Sequence, residues 1–368
     1  MDFQYYMPVH IVSGEDCVKK NARLFRELGS NVLVVTGKSS AKNGALEDAI
    51  FAFQLNGQKY TVFDRVPNNP TVACVEEGAA MAAACKADCV VAIGGGSPMD
   101  AAKAIAMLAR QSAPEGLFAH AITQDVLPMA HIPTTAGTGS EVTPYAIITN
   151  DEKQTKTSIS APSLFPVYAF LDAKYMSSLP QSITINTALD ALSHAVEGML
   201  SVRASLVTDA LARESISLLL GEYDNLLKGE YSPQSRRNLL HGSALAGMVI
   251  ANTGTSPVHG MGYSLTYFHD VPHGRANGLL LPAFLKACKE KIPQRAKEIY
   301  RALGMDAQTF SEKVGALLGK REVYPDSELQ DYAARASQNK NIKNCSAFFS
   351  REDLLSVLRA SLGDGTAV

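Results

Sequence analysis

Through about residue 172, short apolar runs rich in β-branched residues alternate with amphipathic, alanine-rich stretches. This alternation predicts a mostly parallel sheet, because the strands of such a sheet are buried on both faces and helices cover them. The predicted strands are 31–36, 60–63, 89–93, 129–132 and 167–171, and helices such as 71–86 and 99–109 lie between them. The first half therefore reads as an α/β nucleotide-binding unit.

Beyond Pro180 the strand pattern stops, and long segments with the 3.6-residue period of helices follow. The predicted helices are 184–200, 206–227, 234–251, 273–288 and 293–303. A chain of 368 residues is long enough for two cores. We expect an α/β, Rossmann-like dinucleotide-binding domain at 1–180 and an all-α metal- and substrate-binding domain at 181–368. No Gly/Ser-rich linker joins them, so we expect a shared cleft that holds the chemistry.

Composition narrows the possible partners. A net charge of -2, with 46% hydrophobic and 19% charged residues, supplies no field for polyanions, so nucleic acid is not an expected partner. No apolar run approaches the roughly 20 residues of a membrane span, and the first residues lack the basic-then-apolar order of a signal peptide. Six cysteines are scattered without a C-x-x-C pair and read as free thiols. We expect a cytoplasmic protein with no membrane partner.

A glycine-rich turn follows the strand predicted at 89–93. Gly94, Gly95, Gly96 and Ser97 precede Pro98 and a predicted helix. Strand, bare backbone and helix start together bind phosphate, because glycines allow close approach and the first amides of the helix face the anion. The turn is not G-x-G-x-x-G. The alternative is that it merely joins a strand to a helix.

A second loop, 133–143, also follows a predicted strand and is rich in hydroxyl groups and small side chains. Its candidate cofactor contacts are Thr134, Thr135, Thr138, Ser140 and Val142. Two such loops on neighbouring strand ends indicate a dinucleotide. After the first long strand, Gly37, Lys38, Ser39 and Ser40 offer space, a cation and hydroxyls where many NAD sites carry an acid, which favours NADP over NAD. Alternatively, Lys38 is an ordinary solvated loop lysine.

Four residues of the second half are of the types that bind a transition metal. Asp190 and His194 are spaced i,i+4 in an otherwise apolar helix, so they share one face. His259 and His273 follow further along the chain. One carboxylate and three imidazoles would hold a divalent metal, either Fe²⁺ or Zn²⁺. Taken singly, each histidine is more often a hydrogen-bonded core residue.

Segments 94–100, 133–143 and 190–197 together resemble, in order, the hallmark segments of the iron-containing (group III) alcohol dehydrogenases, which include lactaldehyde reductases, 1,3-propanediol dehydrogenases and butanol dehydrogenases. The resemblance spans nearly the whole chain and implies the dehydroquinate synthase-like architecture. It implies that the metal ligands are Asp190, His194, His259 and His273, and that the pyrophosphate lies on Gly95, Gly96 and Ser97. It also implies nicotinamide and ribose contacts at Asp100, Thr134, Thr135, Thr138 and Lys156, with Gly37 where NAD-selective members carry an acid.

By this resemblance the chain is a metal-dependent, NAD(P)-linked oxidoreductase that interconverts a small primary alcohol or diol and its aldehyde by direct hydride transfer. The metal, Fe²⁺ with Zn²⁺ as the alternative, polarises the substrate oxygen. Tyr263 stands where many members have a proton-relay histidine, so Tyr263 and His269 are the candidate relay residues. We also expect a homodimer or larger homo-oligomer, with segment 3–13 as a strand partner between subunits.

Two other functions fit the same architecture. A dehydroquinate synthase-like lyase would need several Lys and Arg residues near the metal, and Arg275 is the one cation close to the ligands in sequence. A non-catalytic nucleotide sensor would not need four intact ligands. Propanal, butanal, lactaldehyde and 3-hydroxypropanal all remain open as substrates.

Overall fold

Six parallel strands form the central sheet of the first half of the chain. The computed structural model describes residues 2–38 and 42–364, so the predicted cofactor contacts Ser39 and Ser40 lie outside the described residues. The strands are β1 (His10–Ser13), β2 (Asn31–Thr36), β3 (Lys59–Phe63), β4 (Cys89–Gly94), β5 (Met129–Pro133), β6 (Tyr145–Asn150), β7 (Thr155–Ser160) and β8 (Tyr168–Leu171). The sheet order is β1-β8-β5-β4-β2-β3, while β6 and β7 form a separate antiparallel hairpin.

Strand order brings the predicted nucleotide loops to one edge of the sheet. Thr36 at the end of β2 pairs with Ile93, and Gly94 at the end of β4 pairs with Pro133. The segments that follow β2, β4 and β5 therefore leave adjacent strands at their carboxyl ends. In open parallel sheets this edge is where ligands bind.

The helices of the described chain are α1 (Cys17–Lys20), α2 (Arg23–Leu28), α3 (Ala45–Leu55), α4 (Val72–Ala84), α5 (Gly96–Leu108), α6 (Gln181–Leu200), α7 (Leu206–Gly221), α8 (Tyr223–Lys228), α9 (Pro233–Thr253), α10 (Pro257–His269), α11 (His273–Lys291), α12 (Pro293–Leu303), α13 (Ala307–Leu318), α14 (Asp326–Ser337) and α15 (Arg351–Leu362). Beyond Pro180 no strand occurs among the described residues, apart from an isolated bridge between Ser201 and Cys345. The predicted fold class is confirmed: a parallel sheet with helices, followed by an all-helical half.

Both faces of the sheet are buried, which explains the uninterrupted apolar strands. On β4, Val90 and Ala92 belong to the cluster that contains Met99 of α5. The alternate residues, such as Val91, belong to the opposite cluster, which contains Phe25. Because successive side chains of a strand point to opposite faces, a strand covered on both sides must be apolar throughout.

Helices α10, α13, α14 and α15 were not among the expected elements, and three further parts of the structure differ from them. The β6–β7 hairpin was not expected, because β7 buries one residue, Ile159, and reads as a polar loop. The helix expected at 206–227 is two helices, α7 and α8, which meet at Glu222 after Gly221. The end of segment 3–13 pairs within the chain, since His10–Ser13 lies parallel to Tyr168–Leu171.

The chain divides into two compact units. A sheet unit comprises Met7–Leu179 and Ser232–Leu240, and a helical unit comprises Met1–Tyr6, Pro180–Tyr231 and His241–Val368. The division into domains at residue 180 stays a prediction, and the units depart from it by exchanging two short segments. Among the described residues, no helix is both long and apolar enough to cross a membrane.

Candidate active site

The glycine turn presents an uncapped helix end at the carboxyl edge of the sheet. Gly94 has a φ of +149°, a conformation that L side chains rarely adopt. Helix α5 begins at Gly96, three residues earlier than expected, so Pro98 lies in its first turn, where proline is tolerated. No side chain in the described chain caps this end at Gly95. The first amides of α5 are therefore suited to a phosphate.

The second loop packs directly against this turn. A Cβ on Gly95 would lie 2.9 Å from Oγ1 of Thr135, and one on Gly96 would lie 2.7 Å from Cγ2 of Thr138. Close approach of a cofactor is one reason for glycine at these positions. The structure adds a second reason, which is that the threonines of loop 133–143 occupy the space a side chain would need. The two loops are thus one structural element.

Asn69 is a residue of this edge that the sequence analysis missed. Its backbone N–H donates to Oγ of Ser97 at 3.2 Å, and its Oδ1 accepts from Nζ of Lys156 at 2.7 Å. Its φ of +59° is in the left-handed region, which asparagine tolerates better than most residues. Asn69 therefore links the glycine turn to Lys156, which lies on β7. An Asn-Pro step between apolar segments was the signal that could have found it.

Asp100 and Ser140, both predicted cofactor contacts, hydrogen-bond to each other. Oγ of Ser140 donates to Oδ1 of Asp100 at 2.6 Å, and the N–H of Ile147 donates to Oδ2 at 3.1 Å. Val142, in the same segment, is fully buried, and Thr134 is buried as well. These contacts join α5 to the segment that follows β5.

Lys103 lies beneath this pair and is fully buried. Its Nζ donates to Oγ of Ser140 at 2.7 Å and to the carbonyl of Tyr145 at 2.8 Å, and it lies 3.8 Å from Oδ1 of Asp100. Burial lowers the pKa of Lys103 to about 8, although Asp100 and Glu141 oppose the shift. Burial also raises the pKa of Glu141 to about 7. The sequence analysis missed Lys103 and Glu141.

The four predicted metal ligands converge in the helical unit. Asp190 and His194 lie on α6, His259 is in the first turn of α10, and His273 begins α11. Nε2 of His259 lies 2.9 Å from Nε2 of His194. Oδ1 of Asp190 lies 3.9 Å from Nε2 of His194, 3.8 Å from that of His259 and 3.8 Å from that of His273. The ligand atoms of Asp190, His259 and His273 all lie within 4.8 Å of one another, and His194 adjoins this group through Asp190 and His259.

The neighbouring imidazoles favour an ionised Asp190 in spite of its burial. Burial alone would raise the pKa of this carboxyl, but the imidazoles of His194, His273 and His259 outweigh it and hold the pKa below its ordinary value. Three of the four side chains are almost fully buried, whereas 26% of the His273 side chain is exposed. His273 is thus the member of the cluster that solvent or a small molecule reaches.

Asn277 and Glu197 contact the cluster, and the sequence analysis assigned no role to either. Nδ2 of Asn277 donates to Oδ1 of Asp190 at 2.8 Å and lies 3.1 Å from Nε2 of His259. A Cβ on Gly262 would lie 2.6 Å from Oδ1 of Asn277, so α10 carries a glycine there. Glu197 hydrogen-bonds to Nδ1 of His259. A charged residue on a buried helix face was the signal for Glu197.

The two predicted relay residues lie in different surroundings. The ring of Tyr263 is buried and stacks on that of His273, with centroids 5.9 Å apart. Nε2 of His269 instead lies 2.8 Å from a carboxylate oxygen of Glu328 and 2.7 Å from the hydroxyl of Tyr332. In the described chain, none of these contacts of His269 is with the four clustered residues. Tyr263 is the one that the structure brings beside them.

Arg275 points away from the cluster. Its guanidinium binds the carboxylate of Glu322 at 2.6 Å and the carbonyls of Leu318 and Lys320. The one cation that the sequence analysis placed near the ligands is therefore held by segment 318–322. Arg275 therefore gives no support to the basic pocket that a sugar-acid lyase requires.

Fold and site define a two-unit protein that combines a dinucleotide-type glycine turn with an Asp/His cluster of metal-binding type. The family model for iron-containing alcohol dehydrogenases matches residues 8–173, and that for the C-terminal part of the Fe-containing alcohol dehydrogenase family matches residues 184–362. Lactaldehyde reductase of Escherichia coli (strain K12) is 33% identical over 285 residues, which are 76% of this chain and 74% of that protein. The chain belongs to the iron-containing alcohol dehydrogenase family.

Solved structures agree with this assignment over the full length. An iron-containing alcohol dehydrogenase from Thermotoga maritima superposes with a TM-score of 0.89 and 38% identity, covering 98% of this chain and 99% of the other. Sulfoacetaldehyde reductase from Bifidobacterium kashiwanohense, solved in complex with NAD⁺, superposes with a TM-score of 0.87 and 27% identity, covering 99% and 100%. The protein is accordingly an enzyme of this family that interconverts an alcohol and an aldehyde.

Proposed function

We propose that this enzyme interconverts a small primary alcohol or diol and its aldehyde, with NADP as the preferred dinucleotide and Fe²⁺ as the metal. The observation that carries the proposal is the convergence of Asp190, His194, His259 and His273 in a chain whose sheet unit carries two loops suited to a dinucleotide. Lactaldehyde reductase among the relatives supports a short, polar substrate.

The donor set fits a divalent first-row metal. Three imidazole nitrogens and one carboxylate oxygen suit Fe²⁺ and, as the alternative, Zn²⁺. When bound, such an ion supplies a Lewis acid for the substrate oxygen. The partly exposed His273 marks the side from which a small alcohol or aldehyde would approach. Asn277 would hold Asp190 in place through its 2.8 Å hydrogen bond.

The glycine turn fits a pyrophosphate, since Gly94 has a φ of +149° and α5 begins at Gly96 without a side-chain cap from the described residues. The nucleotide would supply the hydride donor or acceptor at its nicotinamide ring. Lys156 would orient the ribose hydroxyls with Asn69 as its support. The preference for NADP rests on Gly37, which offers no acid to a ribose 2′-phosphate.

For the proton, we propose a route through the hydroxyl of Tyr263 and water, because its ring stacks on that of His273. A tyrosine hydroxyl can pass a proton along a chain although it is a weak base near neutral pH. His269 would first have to leave Glu328 and Tyr332 to take part. The proposal also includes a homo-oligomer and a cytoplasmic location.

An anaerobic reduction assay tests this function. Metal-depleted protein is mixed with propanal, butanal, lactaldehyde or 3-hydroxypropanal and with NADPH or NADH, with and without Fe²⁺ or Zn²⁺. We expect turnover only with added metal, and faster turnover with NADPH. If the dinucleotide binds but no aldehyde is reduced under any of these conditions, the proposed substrate class is wrong.

A further inference from the structure

Glu197 is a fully buried carboxylate whose two oxygens have different partners. It lies on α6, three residues after His194 and seven after Asp190, so all three share one helix face. Oε1 accepts hydrogen bonds from the N–H of Ser256 at 3.0 Å, from Oγ of Ser256 at 2.9 Å and from the N–H of Val258 at 2.9 Å. Oε2 bonds to Nδ1 of His259.

Through Oε1, Glu197 caps a helix that is distant in sequence. Ser256 is the N-cap of α10, but its own side chain makes no capping bond to a described residue. The amides of Ser256 and Val258 find their acceptor on Glu197 instead, and the negative charge lies at the positive end of the helix dipole. The carboxylate is therefore held rigidly, with Oε2 in one direction.

Through Oε2, the same carboxylate determines which nitrogen of His259 carries hydrogen. Oε1 already accepts three hydrogen bonds, and an ionised carboxylate has no hydrogen to donate, so Nδ1 of His259 is the donor of the bond to Oε2. The lone pair of this imidazole is then on Nε2. That atom faces Nε2 of His194 at 2.9 Å and Oδ1 of Asp190 at 3.8 Å.

We propose that Glu197 is a positioning residue that fixes the tautomer and ring orientation of His259, so that Nε2 is the atom available to the metal. The inference rests on the proposed function, since it takes His259 as a metal ligand. A carboxylate behind a ligating histidine also raises its basicity, and loss of such a partner weakens metal binding. With Asp190, Glu197 would also balance the charge of a divalent ion in a buried site.

A glutamine at this position separates the positioning role from a purely structural one. In Glu197→Gln the carbonyl oxygen can still accept from Ser256 and Val258, so the cap of α10 is kept. The amide nitrogen then faces Nδ1 of His259 and donates to it, which shifts the hydrogen to Nε2 and blocks the metal-facing atom. A residue that only caps α10 would tolerate this substitution.

The experiment measures Zn²⁺ affinity of metal-depleted protein with a competing chelator. We expect Glu197→Gln to bind Zn²⁺ about tenfold to a hundredfold more weakly than wild type, with an unchanged far-ultraviolet spectrum and unchanged dinucleotide binding. The matched control is Glu222→Gln, a buried glutamate at the start of α8, which should leave Zn²⁺ affinity unaltered. Equal affinities of wild type and Glu197→Gln would overturn the inference.

A second measurement does not require that Glu197→Gln folds. Nitrogen NMR of ¹⁵N-histidine-labelled wild type loaded with Zn²⁺ reports the tautomer of His259. The signals of His259 are assigned by their absence from the spectrum of His259→Gln. Hydrogen on Nδ1 and metal on Nε2 are expected, and the reverse arrangement would refute the role of Glu197. Failure of the proposed metal site would look different, because wild type would then bind Zn²⁺ no better than His259→Gln.

Discussion

Each unit of the chain buries a polar cluster, and the two clusters balance their charges differently. In the helical unit, Nε2 of each of three histidines lies within 4 Å of one carboxylate oxygen of Asp190. In the sheet unit, Asp100 and Glu141 are neighbours of Lys103, which carries its own positive charge into the interior. The first cluster has the donor atoms of a metal site, whereas the second joins α5 to the segment after β5 through hydrogen bonds and opposite charges. Similar residue types thus gather acceptor atoms in one unit and pair with a buried cation in the other.

The largest effect is expected when a histidine is removed from the first cluster. His259→Ala and His273→Ala should each weaken metal binding at least about a hundredfold and abolish turnover, because each removes a nitrogen that faces Asp190. Dinucleotide binding should be largely kept. Plasma mass spectrometry measures the metal content, and titration measures dinucleotide binding. His269→Ala is the control and should keep its metal content, since His269 bonds to Glu328 and Tyr332. Unchanged metal content in His273→Ala would remove His273 from the ligand set.

The second cluster is broken by Lys103→Met. The pKa of Lys103 is lowered from 10.5 to about 8 in the folded protein, so between these values the unfolded chain binds more protons and stability rises with pH. Burying the charge thus costs on the order of 3 kcal/mol below pH 8, and this cost disappears above pH 10.5. The urea midpoint of wild type should therefore rise relative to that of Lys103→Met when the pH is raised from about 7.5 to about 10.5.

The control for this pH effect is Lys153→Met, which removes an exposed lysine. Its midpoints should follow those of wild type at both pH values. Parallel profiles for wild type and Lys103→Met would mean that Lys103 keeps an ordinary pKa inside the sheet unit. Burial of a lysine charge would then not distinguish the second cluster from the first.

The first cluster was predictable from the sequence, whereas Lys103 and Glu141 of the second were not. Asp190 and His194 stand out because two polar residues at i,i+4 interrupt an apolar helix. His259 and His273 are candidates by residue type, and the family resemblance implies all four as ligands. Lys103 falls in a helix whose other residues are mostly alanine and apolar, where one lysine reads as a solvated position. Its burial depends on Ser140 and Tyr145, which approach from a different part of the chain. Sequence periodicity carries no information about such a contact.

The fold follows a similar division. Strands β2, β4, β5 and β8 are predictable because burial on both faces requires continuous apolar residues. Helix α10 is hidden by Gly260 and Gly262, which disfavour a helix locally. Gly262 is nevertheless required, since a Cβ there would meet Oδ1 of Asn277 at 2.6 Å. Local propensity is overridden where the site needs close packing.

Gly96→Ala tests whether the loops above the Lys103 cluster act as one element. The new Cβ would lie 2.7 Å from Cγ2 of Thr138, so the Thr138 side chain or the backbone of one loop must shift. Such overpacking costs about 1–3 kcal/mol, and we expect roughly tenfold weaker dinucleotide binding by titration. Adding Thr138→Ser removes Cγ2 and should restore much of the affinity. If the single and double variants lose the same dinucleotide affinity, the alanine disturbs the phosphate contact itself, and packing against Thr138 has no part in the effect.

The smallest expected effect is at the end of β2, where charge decides rather than packing. Gly37→Asp should lower the ratio of kcat/KM for NADPH to that for NADH roughly tenfold, or about 1.4 kcal/mol, because the carboxylate repels a ribose 2′-phosphate. A Cβ at this position would lie 3.3 Å from the carbonyl of Val66, so any side chain also perturbs the loop. Gly37→Asn carries the same bulk without the charge. If the two variants shift the ratio equally, the effect is steric and the preference for NADP does not originate at Gly37; if only the aspartate shifts it, the ribose lies beside this strand end.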